Sequence, residues 1–156
     1  MMKKIELSNE ERAYIAGFLD GDGSVHVQIV PGKDYKFKYT VRISIVFYQK
    51  KEKHWFILWL KSKLGYGYVR INKNISEYTI TSSIAVKEIL QLLVSDLRLK
   101  HELAKFVLKI IEVKESVRVR EDFVRLCEMV DKTASMTYSK KRVVTSSVVK
   151  SNLESL

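Results

Sequence analysis

Cysteine and long apolar runs are both scarce in this sequence. Cys127 is the only cysteine among the 156 residues, so no disulfide can form within the chain, and a reducing compartment is favoured. Its apolar helical surroundings are typical of a small buried hydrophobe. No apolar run reaches the roughly 20 residues of a membrane helix, and acidic residues soon follow the basic start, so no signal-peptide core is indicated. We expect an intracellular protein with no membrane partner.

Motifs for several kinds of chemistry are also missing. The histidines are scattered and match no zinc-binding spacing: His26, His54 and His101. A P-loop, a Rossmann glycine pattern and a GxSxG nucleophile elbow are absent from the sequence. Asp20-Gly-Asp-Gly23 begins like a calcium loop, but Val25 and Pro31 stand where an EF-hand has its Gly and its final Glu. These absences argue against zinc, nucleotide and EF-hand sites.

Acidic residues are few relative to basic ones. The chain has 28 Lys and Arg against 18 Asp and Glu, a net charge of +10 and a pI near 9.6. Such an excess of positive charge favours a polyanionic partner, above all nucleic acid. A basic surface without a partner and a basic ribosomal or RNA-binding protein are the alternatives that composition leaves open.

Hydrophobic periodicity predicts the order helix, two strands, helix, two strands and then further helices. Ser8 and Glu11 form a capping-box pattern that starts the first helix, which runs to about Asp20. Strands are predicted at 24–30, 37–49, 66–72 and 75–82, and helices at 51–64, 84–97, 100–113 and 121–133, followed by a tail with a short terminal helix. The predicted core of the second helix is Trp55, Leu58 and Trp59. This order indicates one α+β domain over 1–156, with a core over 1–135, a tail over 136–156 and one antiparallel four-stranded sheet.

One face of that sheet is predicted to be long, polar and rich in hydrogen-bond donors, because polar side chains alternate with apolar ones along the strands. Arg, Asn, Gln, Thr and Ser are the side chains that read base edges in the major groove of DNA, where a β-ribbon fits. An ordinary solvated sheet face is the alternative. The residues of this polar sheet face are His26, Gln28, Lys38, Thr40, Arg42, Ser44, Tyr48, Tyr68, Arg70, Asn72, Glu77 and Thr79.

Two carboxylates stand at the end of the first helix. Asp20 and Asp22 lie at the negative end of the helix dipole, which disfavours an anion unless a cation is near. A divalent metal would relieve this, whereas an Asp-Gly turn, with Gly23 as part of it, is the structural alternative. Local sequence favours the turn for Asp20 and leaves Asp22 open. One carboxylate per chain is too few for two-metal phosphodiester hydrolysis, so a metal nuclease would have to be a homodimer.

A stripe of small residues offers a way to bring two such helices together. Ala13, Ala16, Gly17 and Gly21 recur at helical spacing along one side of the first helix. Gly17 costs a helix about 1 kcal/mol relative to Ala. Close packing of another backbone, from a partner chain, would explain why glycine is used there.

The segment Tyr14-Ile-Ala-Gly-Phe-Leu-Asp-Gly-Asp-Gly23 resembles the signature of the LAGLIDADG homing endonucleases, in their single-motif branch. Further matching blocks follow in order at 34–38, at Gln49 with Trp55-Phe56, at 67–70, at Leu99-Lys100 and at 107–111, so the resemblance covers about 8–156. It implies an αββαββα core, dimerisation through the motif helices, and a saddle of two sheets over double-stranded DNA. It also implies an intron-encoded enzyme that cuts both strands of a long, near-palindromic site and leaves 3′ overhangs. Its compartment would be a chloroplast, a mitochondrion or a bacterial cytoplasm. Mg²⁺ would be the cofactor, Mn²⁺ would substitute for it, and Ca²⁺ would support binding without cleavage.

The resemblance also implies roles for individual residues. Asp22 and the Gly21 carbonyl would bind the metal, while Gln49, Lys53 and Lys100 would surround the scissile phosphate. Lys53 stands where an arginine is expected, which keeps the charge but loses bidentate hydrogen bonding. The dimer interface would comprise Ala13, Ala16, Gly17, Asp20 and Gly21. Besides the polar sheet face, the DNA contacts would include Val30, Tyr35, Ser139 and Lys140.

Other members of this fold could serve different ends. An intron maturase would assist splicing of its host intron RNA, and a non-cleaving regulator would only bind DNA. Because Asp22, Gln49 and Lys100 are all present, the sequence favours the nuclease over both.

Overall fold

A computed structural model describes residues 4–137 and 142–155 of the chain. The helices and strands follow the predicted order, with most bounds within a few residues of those expected. They are α1 (Asn9–Asp22), β1 (Gly23–Pro31), β2 (Tyr39–Lys50), α2 (His54–Leu64), β3 (Tyr68–Asn72), β4 (Ile75–Ile80), α3 (Ser83–Leu93), α4 (His101–Ser116), α5 (Arg120–Lys132) and α6 (Ser146–Glu154). Short 3₁₀ turns lie at Lys51–Lys53, Val94–Asp96 and Thr133–Met136. No helix in the described part of the chain is both long and apolar enough to cross a membrane.

The four strands form one sheet in the order β1-β2-β4-β3, which confirms the predicted α+β class. In the antiparallel pairing of β2 with β4, Ile45 stands opposite Ile80 and Gln49 opposite Ser76. The β3–β4 hairpin turns at Lys73, whose positive φ of 58° suits a tight connection. Side chains alternate along β4, so that Tyr78 and Ile80 are buried while Glu77 and Thr79 are partly exposed. The sheet therefore separates an apolar face from a more polar one.

Helix α1 begins with the predicted capping box. The Glu11 amide donates to the Ser8 hydroxyl at 3.1 Å, and the Ser8 amide donates to the Glu11 carboxylate at 3.0 Å. These two bonds satisfy amides that a helix N-terminus otherwise leaves unpaired. Lys63, which lies 2.6 Å from the same carboxylate, lowers the pKa of Glu11 together with the Ser8 bonds. The start of α1 is thus fixed by its own capping residues, and an ion pair links this start to Lys63 of α2.

The chain divides into two compact units, one formed by residues up to His26 with Ile43–Ala104 and the other by Val27–Arg42 with residues from Lys105 onward. In the first unit α1 packs on α3, and α2 packs on β3 and β4. In the second unit α5 packs on α6, and Phe37 stacks on Phe123 at a centroid distance of 5.1 Å. The prediction of a single domain stays a prediction.

The predicted core of α2 is wrong at two of its three positions. Trp55 is 65% exposed and Leu58 is 48% exposed, and the buried residues of this helix are Ile57, Leu60 and Leu64 instead. The segment from Trp55 to Leu60 is apolar at every position, so its periodicity does not reveal which side meets the sheet. Within the chain, Trp55 and Leu58 form an uncovered apolar surface.

Candidate functional site

The acid–glycine segment forms a direct helix-to-strand junction. Helix α1 ends at Asp22 and β1 begins at Gly23, so the turn expected there, with Gly23 as part of it, does not exist. A Cβ on Gly23 would stand 2.6 Å from a Leu19 side-chain atom and 3.0 Å from the Leu19 backbone, which explains the glycine. Asp22 is exposed at the junction, where the rigid elements on either side hold it.

Asp20 has a long-range structural role in place of the predicted turn, and its predicted place in the dimer interface stays a prediction. Its Oδ2 accepts hydrogen bonds from the amides of Arg98, at 2.6 Å, and Leu99, at 3.2 Å. Its Oδ1 accepts one from the amide of Lys100 at 3.0 Å. The carboxylate therefore faces the segment that precedes α4, and both of its oxygens accept hydrogen bonds from that segment.

Lys100 returns a contact to the same residue. Its Nζ donates to the main-chain oxygen of Asp20 at 2.8 Å, which holds the ammonium at the C-terminal end of α1. Partial burial lowers the pKa of Lys100, and the negative charge of Asp20 opposes that shift. The structure thus brings Lys100 within two residues of Asp22 along α1, as the predicted site requires.

Gln49 lies near the C-terminal end of β2, and Lys53 lies in the 3₁₀ turn that follows. The Gln49 side-chain oxygen accepts a hydrogen bond from the Lys50 amide at 2.9 Å, and Lys53 is exposed on the 3₁₀ turn that follows. This turn is tied to the β3–β4 hairpin, because the Lys51 amide donates to the Asn74 carbonyl at 2.9 Å. Within the described residues, no hydrogen bond or ion pair joins Gln49 or Lys53 to Asp22 or Lys100. Their place in one site stays a prediction.

The oxygen donors at the junction suit a hard divalent cation. Mg²⁺ is commonly held by one or two carboxylates, with waters and substrate phosphate oxygens completing its coordination. Asp22 and the Gly21 carbonyl are donors of that kind. Across residues 4–137 and 142–155, no three His, Cys, Asp or Glu side chains are placed to hold a metal ion together. The donor set fits Mg²⁺ as a half-site that needs further ligands.

The small-residue stripe on α1 is only partly available to a partner. Ala13, Gly17 and Gly21 are exposed, and a Cβ built on Gly17 or Gly21 would meet no described residue of this chain within 4 Å. Ala16, in contrast, is fully buried in the core of its own unit. Its side chain is therefore not available to a partner, and its predicted interface role is wrong. Nothing among the residues that the structure describes accounts for glycine at position 17.

Aromatic side chains flank this stripe. Tyr14 is 57% exposed, and its ring contacts Phe56 and Trp59 edge to face at centroid distances of 6.0 and 6.2 Å. Trp55 contacts Phe56 edge to face at 6.0 Å. The exposed sides of α1 and α2 therefore carry aromatic rings beside the small-residue stripe, where the backbone of a partner chain could approach closely.

The part of the polar sheet face on β3 and β4 contains a pre-oriented arginine. Arg70 stands opposite Glu77 in the β3–β4 register, and its Nε donates to the carboxylate at 3.0 Å. Tyr48 pairs with Glu77 from the other side, and partial burial together with that negative charge raises the pKa of Tyr48, against the effect of a hydrogen bond with Ser24.

The remaining predicted residues of these strands differ in exposure. Ser44 is buried, so it is not the exposed donor predicted from strand alternation. Tyr68 and Asn72 are exposed and Thr79 is partly exposed, so these three side chains are available on the polar sheet face.

Elsewhere on this face, alternation holds along β1 and the first part of β2. Gln28 and Arg42 are exposed, and His26, Val30 and Thr40 are partly exposed. Lys38 does not belong to the strand as predicted, because it precedes β2 with a positive φ of 63°.

The loop that precedes β2 is held by its own bonds. The Gly32 amide donates to the Lys38 carbonyl at 3.0 Å, and the Lys38 amide donates to the Tyr35 carbonyl at 2.9 Å. The exposed Tyr35 ring covers Gly32 so closely that a Cβ there would meet it at 2.4 Å.

Ser139 and Lys140, the predicted contacts of the tail with the DNA backbone, lie outside the described residues. The segment that follows is anchored on α5. Arg142 donates to the Val130 carbonyl and to the buried Thr133 hydroxyl, each at 2.8 Å. Helix α6 then buries Val149 and Leu153.

Sequence reasoning missed the amides of Arg98 and Leu99 as partners of Asp20. Their only signal in the sequence is the position of Arg98 and Leu99 directly before the helix predicted at 100–113, where amides need acceptors.

Comparisons with known proteins agree with this arrangement. A family model described as LAGLIDADG endonuclease matches residues 15–116. DNA endonuclease I-CreI of Chlamydomonas reinhardtii is 39% identical over 144 residues, which cover 92% of this chain and 88% of that protein. DNA endonuclease I-CvuI of Chlorella vulgaris is 33% identical over 145 residues, or 92% of this chain and 90% of that protein. Two crystal structures of I-CvuI have a TM-score of 0.88 at 32% identity and cover 94% of both chains: one with the I-CreI target and Mg, in which the DNA is not cleaved, and one with its own target and Ca.

Proposed function

The chain belongs to the LAGLIDADG endonuclease family, and from this premise we propose that it is an intron-encoded homing endonuclease. It acts as a homodimer and makes a double-strand break with 3′ overhangs in a long, near-palindromic DNA site. The observation that carries this proposal is the exposed Asp22, fixed where α1 meets β1, with the Lys100 ammonium bonded two residues away.

The residues of the site divide the chemistry among them. Asp22 and the Gly21 carbonyl hold the divalent cation, which when bound acts as a Lewis acid for the phosphate and lowers the pKa of the attacking water. Lys100, bonded to the Asp20 carbonyl at 2.8 Å, places positive charge where negative charge develops on the phosphate. Lys53 adds a second, exposed positive charge, and Gln49 orders water around the phosphate. Mg²⁺ is the natural metal, Mn²⁺ replaces it, and Ca²⁺ supports binding alone.

A second copy of the chain completes the site. One Asp22 per chain gives two carboxylates when the C-terminal ends of two α1 helices meet at a two-fold axis. Gly17 and Gly21, which have open space above them, allow that approach, and the exposed rings of Tyr14 and Trp55 extend the apolar contact. Aromatic residues are enriched at protein interfaces, which supports this assignment.

Target choice rests on the polar sheet face. Arg70, held by Glu77 at 3.0 Å, has the pre-oriented guanidinium that recognises guanine well. The exposed Gln28, Arg42 and Asn72 are further base-reading side chains. The net charge of +10 favours the phosphate backbone without regard to sequence, so binding weakens steeply as salt rises.

Selection from a randomised library of palindromic DNA tests the proposal. With Mg²⁺ the protein should cleave and enrich one long, near-palindromic site, and a parallel selection for binding with Ca²⁺ should recover the same site uncut. Chelation of the metal should stop cleavage. A site that is selected with Ca²⁺ but never cut with Mg²⁺ or Mn²⁺ would instead favour a non-cleaving regulator. Retention of host intron RNA in place of DNA would favour a maturase.

A further inference from the structure

The ends of α1 and α4 are joined by two reciprocal contacts. The carboxylate of Asp20, in the last turn of α1, accepts the amides of Arg98, Leu99 and Lys100. In return, the Lys100 side chain donates to the main-chain oxygen of Asp20. The Lys100 carbonyl accepts from the Ala104 amide at 2.8 Å, so Lys100 is the residue that caps the start of α4. Asp20 at the end of α1 therefore binds the backbone before α4, and Lys100 at the start of α4 binds the backbone at the end of α1.

Both contacts match the charge distribution of the helices. The last turn of α1 holds no basic residue, and the carbonyl groups there leave a partial negative charge. The Lys100 ammonium supplies the missing cation. The amides before α4 carry the corresponding partial positive charge, which the Asp20 carboxylate meets. The end of α1 thus stabilises the Lys100 ammonium, and the start of α4 stabilises the Asp20 carboxylate. At the end of α1 alone, the charge of Asp20 would be unfavourable.

Helical hydrogen bonds cannot hold the segment from Arg98 to Lys100. The 3₁₀ turn at Val94–Asp96 ends before it, and amides at a helix N-terminus have no partner within the helix. The carboxylate of Asp20 provides acceptors for all three amides at once. It thereby sets the position of the Lys100 Cα, from which the side chain reaches the end of α1.

We propose that Asp20 is a positioning residue of the nuclease: its carboxylate fixes the backbone at Arg98–Lys100 and so holds the Lys100 ammonium beside the metal-binding end of α1. This inference rests on the proposed nuclease function. Both carboxylate oxygens of Asp20 accept backbone amides of its own chain, so we assign this side chain to the backbone and not to the metal or the DNA. The tandem acids of the motif then differ in role, with Asp22 acting in the reaction and Asp20 acting through Lys100.

Three variants separate positioning from mere stability. In Asp20→Ala all three acceptor bonds are lost, and we expect single-turnover cleavage to fall about 100-fold, the cost of a misplacement of about 1 Å. Affinity for DNA, measured with Ca²⁺, should stay within about threefold, because no DNA contact is removed. In Asp20→Asn one side-chain oxygen remains to accept the Arg98 and Leu99 amides, so part of the rate should return. Asp96→Ala is the matched control, since it removes only the 2.7 Å ion pair of Asp96 with Arg12 and should cleave normally.

A double-variant cycle identifies the route of the effect. If Asp20 acts through Lys100, then Asp20→Ala combined with Lys100→Ala should cleave no more slowly than Lys100→Ala alone. The positioning role would be overturned if the two substitutions slowed cleavage independently, so that their rate losses multiplied, or if Asp20→Ala cleaved at the wild-type rate. Cleavage by the wild-type protein would still support the nuclease proposal in either case.

Amide hydrogen exchange gives a readout that is independent of cleavage. Without DNA or metal, Asp20→Ala should speed exchange at Arg98, Leu99 and Lys100, and Asp96→Ala should not. Unchanged protection of these amides in Asp20→Ala would refute the positioning role, whether or not the wild-type protein cleaves DNA. Failure of the wild-type protein to cleave would be a separate result, against the nuclease proposal.

Discussion

Substitution of Gly17 by Ala should have opposite effects on folding and on association. Gly17 lies in the middle of α1 and is exposed, and a Cβ added there would meet nothing within 4 Å in the described part of its own chain. Ala is favoured over Gly in a helix by about 1 kcal/mol, so the folded monomer should gain about that much. This gain is the same in the free monomer and in the dimer, so it cancels from the dimer dissociation constant.

The dissociation constant therefore reports the interface alone. A two-fold axis brings one added methyl from each chain, and overpacking costs about 1 kcal/mol or more per methyl in a tight contact. Two methyls amount to about 2 kcal/mol, which weakens the dimer about 30-fold. Sedimentation velocity over a dilution series measures this change, and thermal unfolding of dilute protein measures the gain in the monomer.

A matched pair at Lys109 isolates helix propensity. Lys109 is exposed in the middle of α4, far along the chain from the stripe. Lys109→Ala should exceed Lys109→Gly in stability by about 1 kcal/mol, and the two should dimerise equally. If Gly17→Ala dimerises as tightly as the wild type, then Gly17 does not touch a partner and the proposed interface is wrong.

Two further predictions concern stability and reactivity. Gly67→Ala should lower the denaturation midpoint far more than Gly65→Ala. Both glycines have φ near +80°, which strains a residue with a Cβ by about 1–3 kcal/mol. Only at Gly67 would that Cβ also lie 2.2 Å from the Thr79 carbonyl oxygen. Equal shifts in chemical denaturation would contradict this. Cys127 should resist iodoacetamide at pH 8 until the protein unfolds, because burial and then the charges of Asp131 and Glu128 raise the pKa of its thiol to about 12; mass spectrometry of the folded protein showing rapid alkylation would refute it.

Features encoded by neighbouring residues could be predicted from the sequence. The capping box of Ser8 and Glu11 depends on residues three apart, and the alternation of β4 depends on residues two apart. Asp22 could be singled out because its motif lies within ten consecutive residues. The structure confirms these local features, while the role of Asp22 stays a prediction.

Features set by distant contacts could not be predicted in the same way. Asp20 is bound by amides about 80 positions along the chain, and no local pattern distinguishes it from a turn residue. Helix α2 is apolar on every side near Trp55, so only the sheet that it packs on decides which side is buried. Ser44 follows the alternation of β2 and is nevertheless buried.

Asp22→Asn tests the central claim most directly. The amide keeps the shape of the side chain but removes the negative charge that binds the cation, so cleavage of the selected site with Mg²⁺ should be abolished. Binding to the same DNA with Ca²⁺ should stay within about threefold, because phosphate and base contacts carry the affinity. Glu128→Gln, which makes the same charge change at an exposed position of α5, should cleave normally. Cleavage by Asp22→Asn at the rate of the wild type would contradict the assignment of the metal site.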